Sequence, residues 1–448
     1  MIGLRSLPLT EGRGARTPMP DGTATAHLYR PKLATVLREG YSLHSLRKDA
    51  VAALTVAIVA LPLSMAIAVA SGVSPARGLF TAVVGGFCVS ALSGSRFQIG
   101  GPAGAFIVLV ASTEAKFGLN GLLLAVLLSG FMLTLVGLLR LGSLIRHIPH
   151  PVTVGFTCGI AVTILASQLR DLGGLRLTGA EPGPLIPKLT ALIQALPTVN
   201  PRTLAVGLGS VAVIILFKRY RPNWPGMLIA VATAAILAAV FHFPVDTIGS
   251  RFGGVPHGLP VPQLPPISLQ LIRQLLPVAL SFTLLGGIES LLSAKVADSM
   301  TGRKHRSNME LIAQGIANVA SSLFGGISVT GTIARTATNI RAGACSPVSG
   351  ILHAGIILVF MLVAAPLASF IPLSALAGVL VVVCWNMAEK LEFVRLLHHW
   401  QLAIVLLTTF GLTLIKDLTF GIVAGCVVAS LLVVAHRLMA ATDANEPN

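Results

Sequence analysis

Long apolar runs, separated by short polar or glycine- and proline-rich passages, follow one another along most of the chain. Many of them approach the roughly 20 residues that a helix needs to cross the hydrocarbon core of a bilayer. Apolar residues make up 54% of the sequence and charged residues only 11%. The pattern therefore predicts an all-α polytopic membrane protein, with the lipid bilayer as its surroundings.

The apolar runs predict 14 transmembrane segments, seven on each side of a proline-rich external loop at residues 244–266. The first seven are predicted at residues 50–70, 77–92, 102–114, 119–141, 151–168, 204–217 and 227–243. The second seven are predicted at residues 275–298, 311–323, 332–341, 346–369, 372–387, 402–415 and 418–438. Residues 185–196 and 389–399 are predicted to be amphipathic links.

The two halves share a plan. Ile148, Pro149 and Gly155 recur at the same spacing as Ile371, Pro372 and Gly378. Seven spans is an odd number, so the second half would be inserted with the opposite orientation to the first. The sequence thus predicts a 7+7 inverted repeat, a common architecture of secondary transporters.

Two breaks in the apolar pattern, at residues 95–106 and 325–341, occupy corresponding places in the two halves. In each, a short extended piece is predicted to precede a half-helix, which would begin at Pro102 in the first half and at Thr332 in the second. The N-terminus of a helix offers unpaired N–H groups and partial positive charge, so it binds anions without a special side chain. We therefore expect the two breaks to face each other and to hold an anion.

A single arginine, Arg335, lies one turn into the second half-helix, where an uncompensated charge is costly. It is predicted to add full positive charge to the anion site. The backbone around it would supply the donors, from Gly101, Ala103, Gly104 and Ala105 on one side and from Gly331, Thr332, Ile333 and Ala334 on the other, and Pro102 is a further predicted substrate-binding residue. The alternative is that the glycines only permit close helix packing and that Arg335 pairs structurally with Glu289.

Pro62 is predicted to break the first span in mid-membrane. Broken helices at this depth are tolerated where they line a cavity, so Leu63 and Ile67 are candidate walls of the substrate site. A simple kink without a functional role is the alternative.

Glu289 is the main carboxylate within the spans of the second half. Close to Arg335 it could exchange a proton during transport, which makes it the candidate proton-coupling residue. A static counter-ion for Arg335 is the competing interpretation.

The formal charge of +16 is explained by cationic loops against anionic lipid headgroups, and no nucleic-acid partner is expected. A modest bias of basic residues, including Arg140 and Arg146 next to His147, places both termini in the cytoplasm of a cell-membrane protein, and the N-terminus is so placed by the basic residues before the first span, Arg30, Lys32, Arg38, Arg47 and Lys48. Residues 1–48 are predicted to be a loosely ordered tail. Scattered cysteines and histidines at span ends predict no metal site, and the absence of catalytic motifs predicts neither an enzyme nor a cofactor.

Several motifs together resemble the SulP (sulfate permease) family of anion transporters. They are the residues from Gly94 to Phe106 (GSRFQIGGPAGAF), from Glu289 to Ala294 (ESLLSA), from Asn308 to Gly315 (NMELIAQG) and from Thr330 to Asn339 (TGTIARTATN). The similarity extends over about residues 45–437. It implies a core domain (49–142 and 270–370) that moves against a gate domain (143–243 and 371–438), with residues 439–448 as a C-terminal stub. Family members carry sulfate, bicarbonate, chloride or dicarboxylates, and a homodimer is possible.

Two departures from the family pattern bear on function. Leu63 and Ile67 stand where many members have a glutamine and an aromatic residue, which weakens the case for sulfate and favours a C4-dicarboxylate. The family's cytoplasmic STAS domain is expected to be missing from this chain. The leading hypothesis is a proton-coupled anion symporter that works by elevator-type alternating access. The alternatives are a bicarbonate, sulfate or chloride transporter or exchanger, a passive anion channel, and a nucleobase permease of similar architecture.

Overall fold

The computed structural model describes residues 29–142, 149–179, 182, 185–222, 224–241, 243–416 and 418–443. Several predictions lie outside the described residues. They concern residues 1–28 of the tail, Arg146, His147, Ile148 and residues 444–448 of the C-terminal stub.

The described chain is almost entirely helical, with one two-stranded sheet. The first half contains α1 (Lys32–Glu39), α2 (Leu43–Ala70), α3 (Pro75–Phe80), a π-helical turn (Thr81–Gly85), α4 (Gly86–Leu92), β1 (Gly100–Gly101), a 3-10 turn (Gly104–Phe106), α5 (Ile107–Leu138), α6 (His150–Gly173), α7 (Leu185–Ala195), α8 (Pro201–Tyr220), α9 (Gly226–Val240) and α10 (Ile248–Phe252). The second half contains α11 (Leu269–Thr301), α12 (Ser307–Leu323), β2 (Thr330–Gly331), α13 (Ile333–Arg341), α14 (Val348–Ala368), α15 (Leu373–Met387), α16 (Lys390–Leu397), α17 (Trp400–Ile415) and α18 (Leu418–Asp443).

Length and composition make these helices membrane-spanning. Eight described helical segments are long and apolar enough to cross a bilayer, and three shorter apolar helices accompany them. Two half-helices follow the two short strands, as predicted. The all-α polytopic fold is thereby confirmed, including the strands before the third and tenth spans.

The first break in the helical pattern lies later than predicted. Pro62 does not break the first span, because α2 continues through it as one helix from Leu43 to Ala70. A proline removes only one backbone hydrogen bond, and a buried helix tolerates that loss when its neighbours pack around it. Pro102 does not begin a helix either. The first half-helix starts with the 3-10 turn at Gly104. It ends at Gly118, whose φ of 67° and ψ of 179° are not helical, so α5 contains two helices that meet at a kink.

The prediction of a loosely ordered tail over residues 29–48 is wrong. These residues form α1 and the first turn of α2, and α1 is docked on the polar loops of the bundle. Arg306 donates from Nη1 to the carbonyl of Arg30 at 2.6 Å, and Arg96 lies 2.5 Å from Glu39. The hydrogen bond from Arg96 holds the pKa of the Glu39 carboxyl below its usual value.

The structure differs from the predicted segments at two other places. The external loop at residues 244–266 contains the short helix α10, and Thr247 before it forms an isolated antiparallel bridge with Pro372. The last span extends beyond residue 438, because α18 continues to Asp443.

Helix packing divides the bundle into two groups. In one, α5 lies against α11 and α12, and α14 lies against α2 and α4. In the other, α6 lies against α15 and α17, and α8 lies against α9 and α15. The groups meet chiefly where α15 packs on α2. The 3-10 turn at the start of the first half-helix lies at this seam, since it contacts α6.

A buried carboxylate ties α2 to the start of α14. Asp49 is fully buried and accepts hydrogen bonds from the hydroxyl of Tyr41 at 2.8 Å, from the backbone N–H groups of Cys345 and Ser346 at 2.8 and 3.1 Å, and from the Ser346 hydroxyl at 2.5 Å. No local sequence pattern predicts this arrangement.

Replacing Asp49 by alanine is expected to destabilise the fold, because it leaves buried donors without an acceptor. Each such donor costs about 1–3 kcal/mol. Thermal unfolding of the detergent-solubilised protein should show a lower midpoint than for the wild type. The matched control is Glu389→Ala, at an exposed carboxylate. Equal midpoints for the two variants would contradict the assigned role.

Candidate anion site

The two breaks in the helical pattern are joined by an antiparallel ladder. Gly100 pairs with Gly331, and Gly101 pairs with Thr330. All four residues are buried. Because a half-helix follows each strand directly, the ladder places the two half-helix starts beside each other. The expectation that the two breaks face each other is met by this register.

Glycine is required in the ladder by space. A Cβ built on Gly101 would lie 1.9 Å from Nη1 of Arg335, and one built on Gly331 would lie 1.6 Å from Nε2 of Gln98. Both distances are far below van der Waals contact. The missing side chains thus leave room for two polar groups that reach between the strands.

Arg335 is the charged centre of this arrangement. It is 2% exposed, and its Nη2 donates to the Ser64 hydroxyl and to the carbonyl of Pro102, each at 3.2 Å. Its Nε and Nη1 have no hydrogen-bond partner among the described residues. The guanidinium thus donates only to neutral oxygens, among the described residues, and forms no ion pair with a described carboxylate. Its charge is therefore left for a ligand to balance.

Both half-helices begin without a side-chain cap. Ala103 precedes the 3-10 turn at Gly104, and Thr332 precedes α13, and neither side chain accepts a hydrogen bond from the helix start. The first N–H groups of a helix lack partners within the helix, so these donors stay open. Two uncapped helix starts and one unpaired guanidinium together form a strongly electropositive place.

The predicted site residues differ in how deeply they are buried. Leu63 and Ile67 on α2 are buried, at 7% and 2% exposure, and Leu63 directly precedes the Ser64 that contacts Arg335. Gly101, Pro102, Ala103 and Ala105 are buried and Gly104 is half-buried. On the other half-helix, Ile333 and Ala334 are exposed.

The gate side of the site was not predicted. The Cβ position of Gly104 lies 3.9 Å from the side chain of Ile164 on α6 and 4.0 Å from that of Met387 on α15. The first half-helix therefore begins at the seam between the two groups of helices. A ligand at this helix start would sit between surfaces that belong to different groups.

Ser64 was also missed by sequence reasoning. It is fully buried and contacts the guanidinium directly. The available signal was a hydroxyl inside the apolar run of α2, two residues after Pro62. Serine in a membrane helix commonly bonds its own backbone, so this signal was ambiguous.

Polar side chains of α11 and α13 fix the strands. Gln98 donates from Nε2 to the carbonyl of Ser290 at 3.1 Å, and the N–H of Ile99 donates to the Thr336 hydroxyl at 3.2 Å. The hydroxyls of Thr336 and Ser293 lie 3.2 Å apart. These bonds hold β1 between α11 and α13, and so they hold Arg335 against Gly101.

Glu289 lies on α11, beside the face that contacts the two breaks. The carbonyl of Gly286 accepts from the Thr330 hydroxyl at 3.3 Å, and Ser290 and Ser293 contact Gln98 and Thr336. At 100° per residue, Glu289 flanks this face. Its side chain is half-buried and has neither a hydrogen bond nor an ion pair with a described residue. The structural pair of Arg335 with Glu289 is therefore not formed.

Comparison with known proteins identifies relatives over most of the chain. The model of the sulfate permease family matches residues 46–410. A putative sulfate transporter, YvdB of Bacillus subtilis, is 44% identical over 394 residues, which cover 87% of this chain and 74% of the relative. The bicarbonate transporter BicA of Picosynechococcus is 32% identical over 406 residues, covering 87% of this chain and 70% of the relative.

A solved structure has the same fold. The transmembrane domain of a cyanobacterial bicarbonate transporter BicA superposes with a TM-score of 0.75 at 30% identity, covering 87% of this chain and 98% of that domain. The inverted-repeat fold and the electropositive site define a multi-pass membrane transporter of anions. The chain belongs to the sulfate permease family.

Proposed function

We propose that this protein is a secondary active transporter that carries a small organic anion, a C4-dicarboxylate, together with protons. The observation that carries the proposal is the buried Arg335, whose Nε and Nη1 have no partner among the described residues. An uncompensated guanidinium inside a membrane protein is costly unless a ligand balances its charge. The transported anion supplies that balance.

The proposed binding residues have two roles: some attract the negative charge of the anion, and others enclose it. Arg335 and the uncapped helix starts at Ala103 and Thr332 attract the charge. The backbone of Gly101, Pro102, Gly104 and Ala105 and of Ile333 and Ala334 surrounds the anion, and Leu63 and Ile67 form the apolar wall. Apolar walls beside a cationic centre suit a dicarboxylate, because its hydrocarbon spacer gains by leaving water.

Transport is proposed to occur by an elevator-type movement at the seam between the helix groups. The core domain (49–142 and 270–370) carries both half-helices, and the gate domain (143–243 and 371–438) supplies Ile164 and Met387 opposite Gly104. Sliding of one domain along the other would carry the bound anion across without opening both sides. With this arrangement we propose that both termini lie in the cytoplasm.

Uptake into proteoliposomes tests the proposal. Labelled fumarate, bicarbonate and sulfate should be compared with and without an inward proton gradient. Fumarate is expected to enter faster when the gradient is imposed, and a protonophore should abolish the difference. No uptake of any of the three anions under any gradient would exclude a transporter of this kind.

Bicarbonate is the second candidate substrate. BicA, which is named a bicarbonate transporter, is 32% identical to this chain, and its transmembrane domain has the same fold. In the uptake assay, bicarbonate would then enter without stimulation by protons, and fumarate would not compete.

Replacing Glu289 by glutamine should separate proton coupling from anion binding. Glu289 lies beside the anion site and has no partner among the residues that the structure describes, so the carboxylate can take up and release a proton. The variant is expected to lose the stimulation of fumarate uptake by an inward proton gradient, while exchange of internal for external fumarate persists. The matched control is Glu389→Gln, at an exposed site. Undiminished, gradient-independent flux in both variants would favour a passive anion channel.

A further inference from the structure

His353 is a buried titratable residue that the proposed transport site does not use. It lies in the second turn of α14 and is fully buried at 0% exposure. Neither Nδ1 nor Nε2 has a hydrogen-bond partner among the described residues. A buried imidazole without a partner costs free energy, and such groups in membrane helices commonly have a functional role.

The helix contacts place His353 beside Arg335. Asn339 on α13 donates from Nδ2 to the hydroxyl of Ser349 on α14 at 2.9 Å. The chain turns back between these two helices, through the short link from Arg341 to Val348, so they run in opposite directions at this contact. One helical turn from it, on the same faces, stand Arg335 on α13 and His353 on α14.

The guanidinium of Arg335 is the charged group aligned with His353. The elements packed on α14 carry other ionisable groups, namely His44, Arg47, Lys48 and Asp49 near the start of α2, Arg77 on α3 and Cys88 on α4. Asp49 is bound to Ser346, two helical turns before His353, and Arg77 donates to the carbonyl of Gly325 at 2.6 Å. Of the described charged groups, Arg335 is the one that the Asn339 to Ser349 contact aligns with His353.

We propose that His353 is a proton-binding residue that takes up a proton when an anion occupies the site at Arg335. Two positive charges close together in a medium of low dielectric repel each other strongly. An anion on Arg335 removes that repulsion, so the imidazole can accept a proton from the solution at one of its free nitrogens. When the anion leaves, the guanidinium expels the proton again. The inference rests on the proposed anion site at Arg335.

Linkage makes the effect reciprocal. If anion binding favours protonation of His353, then protonation must strengthen anion binding by the same factor. A single linked proton tightens binding by up to about tenfold for each unit by which the pH falls. Proton and anion would then move together on one domain, because α13 and α14 both belong to the proposed core.

The experiment measures proton uptake and anion affinity on the purified full chain in detergent. Fumarate and, in parallel, sulfate are added at pH 7 in weakly buffered solution with a pH indicator, and their dissociation constants are measured between pH 6 and pH 8. For the wild type we expect proton uptake on anion addition and tighter binding at pH 6. In His353→Gln, binding should persist at its high-pH strength and lose most of its pH dependence, whereas Glu289→Gln should keep most of it.

Each outcome decides between the proposals. If the wild type binds either anion without taking up protons, the role of His353 is overturned and the anion site stands. If His353→Gln keeps the full pH dependence and Glu289→Gln loses it, Glu289 is the linked group and His353 is not. If neither anion binds the wild type, the proposed function fails for these substrates and the coupling fails with it. Anion binding to the wild type without proton uptake overturns the role of His353 even if the His353→Gln variant does not fold.

Discussion

Replacing Arg335 by glutamine is expected to raise the KM for anion uptake by about 5- to 150-fold, which corresponds to roughly 1–3 kcal/mol for a charge-assisted contact. The change removes the buried guanidinium with its contacts to Ser64 and Pro102 and leaves a shorter, neutral polar side chain. The fold should survive it, since the loss removes two hydrogen bonds and an unfavourable buried charge. Initial uptake rates in proteoliposomes, measured over a range of anion concentrations, give the effect.

Arg341 on the same helix is the matched control. It is exposed at the end of α13, so Arg341→Gln removes an equal charge without touching the site. Its KM should stay within about twofold of the wild-type value. Equal KM values for the two variants would assign Arg335 a structural role only.

Replacing Gly101 by alanine is expected to abolish most transport, by more than about tenfold. The added Cβ would meet Nη1 of Arg335 at 1.9 Å, so either the guanidinium must leave its position or the ladder must open. Both changes disrupt the place where the half-helix starts meet. In enzymes, a displacement of a reacting group by about 1 Å can lower the rate by about two orders of magnitude. Binding to a preorganised site is similarly sensitive to displacement of its groups.

Gly355 on α14 provides the comparison for this prediction. A Cβ built there meets nothing within 4 Å, so Gly355→Ala should transport normally. Size-exclusion chromatography of both variants separates a lost site from a lost fold. A Gly101→Ala protein that is monodisperse and transports at the wild-type rate would show that the close approach of Arg335 is not needed.

The spans and the plan of the fold were predictable from the sequence, because hydrophobicity must persist wherever a helix crosses lipid. Residues 204–217, for example, lie wholly within α8 (Pro201–Tyr220). The two breaks were predictable for the same reason, since glycine- and proline-rich passages rarely interrupt an apolar run without cause. The predicted strands before the half-helices are confirmed by the pairing of β1 with β2.

Long-range register was not predictable. Nothing in the local pattern specifies that Gly100 pairs with Gly331, or that Ser64 contacts Arg335 from a different helix. Such contacts depend on how distant segments pack. The wrong predictions of a break at Pro62 and of a helix start at Pro102 have another origin, because both were made from the local preferences of proline. Packing allows a continuous helix through Pro62 and delays the helix start after Pro102 to Gly104.

His353 shows the limit of interpreting residue types by themselves. In the sequence it is one polar residue inside an apolar span, with no ligand or catalytic spacing around it. Its interest arises only from burial, from two unpartnered nitrogens and from the Asn339 to Ser349 contact that aligns it with Arg335. Each of these is a property of the folded molecule.

The most direct test of the central claim is equilibrium binding of an anion to purified wild-type protein and to Arg335→Gln, with fumarate, bicarbonate and sulfate as probes. If the transported anion balances the charge of Arg335, at least one of the three anions binds the wild type, and its dissociation constant rises about 5- to 150-fold in Arg335→Gln. No comparable change is expected in Arg341→Gln. Equal affinity of the wild type and Arg335→Gln for every anion that binds would contradict the claim that the transported anion balances the charge of Arg335.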